Sequence, residues 1–307
     1  MPRLRSLDVS APGARFDIDP KGVEAFLSSL PPSLEELDLR GWGVVLELQQ
    51  PAVAGAAEER LPRDTPEAVA SSEAILRARL RARAAVICTN IRVYVGLLPL
   101  LAARAPGLRR LMWVRLLIGP GIWPRMLLGG SDATAAMLTF MRMGLGGMPR
   151  LTSVELVDAN DDLRVTALAA TLGAVRCLSL AGGPHFTDSG CAALGRMASL
   201  RVLTLDLCDR GEATSAGVAG LIRQAGTFMR ALRFRSVAWG GDAEAMEAVH
   251  AALRRATTLT AVELIGCDGA AIARLVRRHG AAGLVPGVST AEFDAAWAAA
   301  VEAASVQ

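Results

Sequence analysis

The sequence predicts an α/β fold built from repeated strand-and-helix units, and three features lead to this class. The first is a motif, L-x-x-L-x-L-x-x-C, which occurs at residues 200–208 and again, with Val262 at its second leucine position, at residues 259–267. The second is a helical apolar pattern ahead of four copies of the motif. The third is the number of looser copies, which begin at Leu4, Leu34, Leu108, Leu151, Val175 and Met229. Such self-similarity is typical of solenoids, in which each unit stacks on the next.

Each copy is predicted to be a short strand, because its apolar residues alternate with a period of two. Helices are predicted ahead of four copies, where the apolar period is about 3.6. We expect Thr187 or Asp188 to cap one of these helices by accepting a hydrogen bond from a free backbone N–H. The four helical segments are residues 22–27, 96–101, 188–197 and 217–222.

Copies from Leu151 to Leu259 begin 24 to 30 residues apart, at or just above the interval of leucine-rich repeats. The sequence here resembles the leucine-rich-repeat family, specifically its ribonuclease-inhibitor-like and cysteine-containing types. The resemblance implies an α/β solenoid over residues 1–285, shaped as an open arc. A curved parallel sheet would line the concave side and helices the convex side. It also implies that Cys208 and Cys267 fill the turns after their strands as small buried residues.

Two segments of the solenoid, residues 41–90 and 115–150, depart from the repeat. In the first, residues 49–64 are predicted to be a loop and residues 65–83 a helix. In the second, the sequence predicts an enlarged loop around residues 119–124 and a helix from about residue 131 to residue 143. These irregular segments are where a function particular to this chain is expected.

The last part of the chain is predicted to close the solenoid. Residues 268–280 have the pattern of one more helix, and residues 286–307 are predicted to form a C-terminal helical cap. Within this cap, an alanine-rich helix from Thr290 to Ala304 carries Phe293 and Trp297 on one side. A cap is expected because the outer face of a terminal repeat has no neighbour.

Strand alternation predicts which side chains point away from the helices. The residue between the second and third leucines of each copy is expected there, which also places Met112, Ser179 and Thr204 outward. We expect these strands to contact a partner, the alternative being that they are merely solvated. Their mixed charge suits a protein better than a nucleic acid. The predicted partner-binding residues are Asp8, Glu36, Asp38, Arg40, Glu155, Asp206, Arg233, Arg235 and Glu263.

Two tryptophans, Trp123 and Trp239, are further candidates for partner binding. Both lie in predicted loops near Gly or Pro. Tryptophan is enriched among the anchor residues of interfaces. The alternative is that each is buried as a plug of its own loop.

Composition narrows the class of protein. The formal net charge of +3 is too small to indicate a nucleic-acid partner by itself. The five cysteines form no C-x-x-C pair, so a disulfide framework or zinc site is not indicated, and a cytosolic or nuclear location fits best. The most apolar stretch, residues 111–129, is interrupted by charged residues and prolines, so no membrane association is expected. We expect a monomer.

The sequence offers no catalytic, metal-binding or cofactor-binding motif. It contains no H-E-x-x-H, no G-x-S-x-G and no phosphate loop, and its three histidines are far apart. Residues 158–162 resemble the start of a calcium loop, but Leu163 and Ala169 stand where Gly and Glu are needed. Helix capping is the better interpretation of this segment.

Three hypotheses for function follow. The first is a non-catalytic module that binds a protein through its concave strands and adjacent loops. The second, implied by the resemblance, is the substrate-recognition subunit of a ubiquitin ligase, although no F-box-like helical segment precedes Leu4. The third is an enzyme with a catalytic insert in the irregular segments, although no set of acid, base or nucleophile emerges.

Overall fold

The computed structural model describes residues 4–10, 16–18, 20–40, 42–44, 100–113, 142, 144–157, 162–181, 186–206, 212–237, 243–266, 271–278 and 283–306. Within these residues, ten strands form one sheet. In sheet order they are β1 (Ser6–Asp8), β3 (Glu36–Leu39), β5 (Arg110–Trp113), β6 (Ser153–Val157), β7 (Cys177–Ala181), β8 (Val202–Asp206), β9 (Ala231–Val237), β10 (Ala261–Gly266), β11 (Ala271–Arg277) and β12 (Leu284–Pro286).

The sheet is mostly parallel, which confirms the predicted α/β class. Strands from β1 to β10 pair in parallel, whereas β10–β11 and β11–β12 pair antiparallel. A separate two-stranded parallel sheet joins β2 (Phe16–Ile18) to β4 (Trp42–Val44). β4 lies inside the first irregular segment, whereas the other predictions for residues 45–90 fall outside the described residues.

Every copy of the motif contains a strand that begins two residues after the copy's first residue. The strand β1 begins at Ser6 after Leu4, for example, and β10 begins at Ala261 after Leu259. The same offset holds for the other six copies. The period of two therefore located these strands correctly.

Helices alternate with the strands along the chain. They are α1 (Pro20–Ser28), α2 (Asp162–Thr171), α3 (Asp188–Gly195), α4 (Ser215–Ala225), α5 (Ala243–Arg255) and α6 (Thr290–Val306). Residues 100–104 are also helical, and Leu145–Gly147 form one 3-10 turn. The helices predicted at residues 22–27 and 217–222 are confirmed as parts of α1 and α4, and the helix predicted at residues 188–197 is confirmed as α3, which ends earlier, at Gly195.

The main core lies between the sheet and the helices α1 to α5. Leucines of the strands and of the helices are fully enclosed there, and each contributes roughly 1.5–3 kcal/mol on burial. Strand residues in this core include Leu178, Leu203, Leu232 and Val262, and helix residues include Leu168, Leu194, Leu221 and Leu253. We call the opposite side of the sheet the outer face.

Hydroxyl groups link successive units at one repeated position, the residue before the motif. The Ser199 hydroxyl donates to the Val175 carbonyl over 2.8 Å, and the Thr258 hydroxyl donates to the Met229 carbonyl over 2.7 Å. The Ser33 hydroxyl makes the same bond to the Leu4 carbonyl at 2.9 Å. Each acceptor is the first residue of the preceding copy, so these bonds satisfy equivalent carbonyls that the sheet leaves unpaired.

Carboxylates join the N-terminal ends of successive helices. Asp162, at the start of α2, accepts hydrogen bonds from the Thr187 N–H at 2.9 Å, the Thr187 hydroxyl at 2.5 Å and the Gly190 N–H at 3.0 Å. Asp188, at the start of α3, accepts bonds from the N–H and the hydroxyl of Thr214, both at 2.8 Å. The two threonines are the N-caps of α3 and α4, so each carboxylate fixes the cap of the next helix.

The prediction of a helix at residues 268–280 is wrong. Residues 271–277 form strand β11, which pairs antiparallel with β10 and covers its free edge. The Ala-Ile-Ala-Arg-Leu-Val-Arg segment suits a helix by local propensity, but pairing with an open sheet edge outweighs that preference. The Arg277 side chain also donates to the Leu259 and Ala256 carbonyls at 2.9 and 2.8 Å, which satisfies main-chain acceptors just beyond α5.

Candidate functional site

The predicted outward residues lie in one row across the sheet. Parallel register places Asp8 beside Asp38, Asp38 beside Met112, and Met112 beside Glu155. The row, which we call the central row, continues through Ser179, Thr204, Arg233 and Glu263. Alternation along each strand therefore assembles eight side chains from eight motif copies.

A second row of side chains lies on the same face, two residues earlier on each parallel strand. Its side chains change from polar to apolar partway across the sheet. Over β1, β3, β5 and β6 it holds Ser6, Glu36, Arg110 and Ser153, all polar. From β7 to β10 it becomes apolar, with the residues Cys177, Val202, Ala231 and Ala261, and Val276 of the antiparallel strand β11 lies beside Ala261.

Helix α6 lies over the apolar part of the outer face. It contacts β7, β8, β9, β10 and β11. Its residues Phe293, Ala300 and Ala304 are buried in a second core. The strand residues of this core are the apolar second-row residues from Cys177 to Ala261, together with Val276. The helix thus packs flat on the sheet as a third layer, and we call the residues of β1, β3, β5 and β6 the open part of the outer face.

Arg233 is held by the helix. Its Nε lies 2.8 Å from Glu263 Oε2, and its Nη2 donates to Asp294 Oδ1 at 3.2 Å. The guanidinium carbon sits 5.0 Å from the ring centre of Phe293 and 4.7 Å from that of Trp297. Its side chain is only 18% exposed, so this predicted partner-binding residue is engaged within the chain.

Glu263 is also engaged. It is buried, and its Oε1 accepts a hydrogen bond from Arg274 Nε at 2.8 Å. Arg274 in turn donates to the Thr290 hydroxyl at 3.0 Å, at the start of α6. A buried carboxylate flanked by two guanidinium groups is compensated, and only the removal of both partners would leave it as an unpaired buried charge.

Asp38 and Arg40 form a compact pair on β3 and the turn after it. Arg40 donates through Nε and Nη2 to the Asp38 carboxylate, with a shortest distance of 2.7 Å. The hydrogen bond to Asp38 raises the pKa of Arg40. Asp38 is buried while Arg40 remains partly exposed. The pair is internally neutral, so it adds little net charge to the open part.

Three acidic residues of the open part are more accessible. Asp8 is exposed, and hydrogen bonds from Ser10 hold its pKa below the usual range. Glu36 is exposed and accepts a bond from the Ser6 hydroxyl at 3.1 Å. Glu155 is half-buried.

The remaining predicted residues lie elsewhere. Asp206 and Arg235 form an ion pair at 3.8 Å near the C-terminal ends of β8 and β9, and both side chains are more than a third exposed. Trp123 and Trp239 lie outside the described residues, so their predicted role has no structural counterpart here.

The position of α6 was not predicted from the sequence, although the strands carry a signal of it. At the starts of β7, β8, β9 and β10, two apolar residues stand side by side, as in Cys177-Leu178 and Val202-Leu203. A strand with one solvated face alternates apolar and polar residues, so a doubled apolar start indicates that both faces are covered. The four adjacent doublets were the evidence for a covering element.

Reactive side chains are scarce in the described part of the chain. Burial raises the pKa of the Cys191 thiol far above its usual range and raises the pKa of Cys177 as well, so neither is activated as a thiolate. His250 is exposed on α5. Among the residues that the structure describes, no three His, Cys, Asp or Glu side chains are grouped closely enough to hold a metal ion.

No protein-family model matches the sequence, and no curated protein matches it significantly. Within the described helices, none combines the length and the apolar character required to cross a membrane.

Proposed function

We propose that the chain is a leucine-rich-repeat protein of the ribonuclease-inhibitor-like or cysteine-containing type, with its parallel strands on the concave side of an open arc. Three observations support this proposal. Each motif copy contains a strand at the same offset, the units follow one another across the sheet in chain order, and hydroxyl groups bond equivalent carbonyls of neighbouring units.

We further propose that the protein is a non-catalytic module that binds another protein through the open part of the outer face. The observation that carries the proposal is the division of that face. Where the second row is apolar, the chain covers it with its own helix. Where the row is polar, Glu36 and Arg110 remain exposed.

Side chains on paired strands are held in fixed positions, which suits a surface that binds another protein. Neighbouring strands hold the open side chains about 4.8 Å apart, without loops that must order on binding. Asp8, Glu36, Arg110 and Glu155 present carboxylates and a guanidinium that match a partner of mixed but mainly basic charge. Exposed charges at an interface affect the rate of association and the choice of partner.

Affinity purification with mass spectrometry tests the proposal. We expect the protein to retain specific partners that are lost from the variant Glu36→Lys/Glu155→Lys. A matched control is Glu24→Lys, which reverses an exposed charge on α1. If the double variant and the Glu24→Lys control both recover every partner of the wild type, the interface lies elsewhere.

A further inference from the structure

A series of main-chain hydrogen bonds, which we call the ladder, joins the residues just before successive parallel strands. It runs along the edge of the sheet formed by the N-terminal ends of these strands and aligns one side chain from each unit. In this ladder, the Arg201 N–H donates to the Arg176 carbonyl at 2.8 Å and the Arg230 N–H donates to the Arg201 carbonyl at 2.7 Å. The ladder then continues from Arg230 to Thr260, and on its other side it reaches Arg176 from Thr152. Three arginines thus occupy equivalent positions on three successive units.

Among the described residues, no carboxylate balances the charge of these arginines. Arg176 donates to the Ala304 carbonyl at 3.4 Å, and Arg201 donates to the Ala198 and Leu200 carbonyls at 2.8 and 3.2 Å. These acceptors carry only partial charge. Within the described ranges, none of the three arginines has a carboxylate partner, and the Arg230 guanidinium has no hydrogen-bond partner.

At the other end of the ladder, a carboxylate stands between two arginines. There the equivalent residues are Arg5, Glu35 and Arg109. Glu35 lies 3.8 Å from the Arg5 guanidinium and 3.9 Å from that of Arg109. Positive charge at this edge is therefore compensated beside β3, whereas from β7 to β9 no described carboxylate compensates it.

Like charges on neighbouring strands repel one another. Burial and the nearby positive charges of Arg230 and Arg176 lower the pKa of Arg201. The middle arginine of the row is therefore repelled by both of its neighbours. Threonine at the flanking positions, Thr152 and Thr260, shows that the ladder does not require arginine. An external anion would remove the repulsion and gain bidentate hydrogen bonds from planar guanidinium groups.

We propose that Arg176, Arg201 and Arg230 form a docking edge for an acidic segment of a partner protein. The row spans two inter-strand spacings, roughly 10 Å. An extended segment with acidic residues at every second position places carboxylates roughly 7 Å apart. Two or three carboxylates of such a segment reach the row.

A nucleic acid fits this edge less well. Proteins that bind duplexes commonly neutralise about 6–10 phosphates, whereas this row offers three guanidinium groups. A longer polyanion following the ladder would also meet the carboxylate of Glu35. The docking edge is separate from the open part of the outer face, so either proposal can fail without the other.

Fluorescence anisotropy with the full chain tests the docking edge. The probe is a labelled peptide in which four glutamates alternate with serines, and the same peptide with glutamines is the uncharged comparison. We expect the glutamate peptide to bind, to weaken with added salt and to exceed the glutamine peptide. Arg230→Thr is expected to weaken binding about tenfold and Arg201→Thr/Arg230→Thr about a hundredfold.

The matched control is Arg235→Thr, which removes the same charge from the opposite end of β9 and is expected to leave binding unchanged. Threonine is chosen because the chain places it at this ladder position in two other units, and circular dichroism would verify the fold. Equal binding by the wild type and the double variant would overturn the proposal. So would a 12-nucleotide single strand that binds more tightly than the peptide and loses its affinity in the double variant.

Discussion

At the scale of single residues, two glycines allow the carboxylates of one helix to reach the next. Gly190 and Gly217 occupy the third residue of α3 and α4. A Cβ at Gly190 would collide with Phe186 and the Asp162 carboxylate, and one at Gly217 would collide with Asp188. The Asp–Thr bonds between helices therefore depend on these glycines for space.

This dependence reverses the usual effect of a glycine substitution. Alanine in a helix normally stabilises by about 1 kcal/mol relative to glycine, and we expect this gain for Gly220→Ala, where the nearest atom is 3.8 Å away. Gly217→Ala is expected to destabilise by roughly 1–3 kcal/mol, because Asp188 must leave the Thr214 cap. Urea denaturation of both variants measures the difference, and the same sign for both would contradict this account.

The ion pair of Arg278 and Glu292 gives a prediction on pH. A hydrogen bond from Arg278 at 2.8 Å lowers the pKa of Glu292 below the usual value of 4.5 for a glutamate. A depressed carboxyl pKa contributes stability above the unfolded pKa, and this contribution is lost as the pH falls through the folded pKa. Carbon-13 NMR is expected to show Glu292 titrating below 4.5. In Arg278→Gln the titration should move upward toward 4.5, and an unchanged titration would rule out the role of Arg278.

At the scale of elements, α6 decides which part of the outer face is accessible. The chain turns into this helix through Gly287, whose φ of 72° is readily adopted only by glycine. Phe293 is fully buried and packs beside Trp297, with ring centres 5.8 Å apart. The helix is then anchored at its first turn by Arg233 and Arg274, and near its last turn by Arg176.

Removing the Phe293 anchor should release the helix from the sheet. Phe293→Ala is expected to cost about 3–5 kcal/mol and to increase alkylation of Cys177, which packs against the second core. Iodoacetamide labelling followed by peptide mass spectrometry measures the rate at this residue. Phe26→Ala, which removes a ring from α1, is the control and should leave the rate unchanged. Equal Cys177 labelling in all three proteins would show that α6 does not shield this strand.

At the scale of the whole molecule, one hydrophobic core runs from Val23 of α1 to Leu264 of β10. Each unit buries its leucines against its neighbours, so the stability of a unit depends on the next. A central strand is supported from both sides, whereas β1 lies at the end of the described sheet, where Leu7 is only half-buried.

Leu203→Ala in β8 is expected to destabilise the protein by about 2–5 kcal/mol, and Leu7→Ala by clearly less. Hydrogen exchange should also rise in β7 and β9 for Leu203→Ala, because these strands pack against the altered unit. Native-state exchange with mass spectrometry measures both effects. Faster exchange confined to β8 would argue against coupling between units.

The sequence by itself determined where the eight motif strands begin and which side chains share the central row. Alternation and the repeat are local properties of the chain, and they placed Asp8, Asp38 and Glu155 in one line before any contact was known. The tertiary structure alone decided that residues 271–277 pair as a strand and that α6 lies on the outer face. Both depend on contacts between distant residues, such as Ala261 with Val276 and Arg176 with Ala304. Local periodicity shows that a surface is apolar, but the element that covers it is selected by shape and charge across the whole molecule.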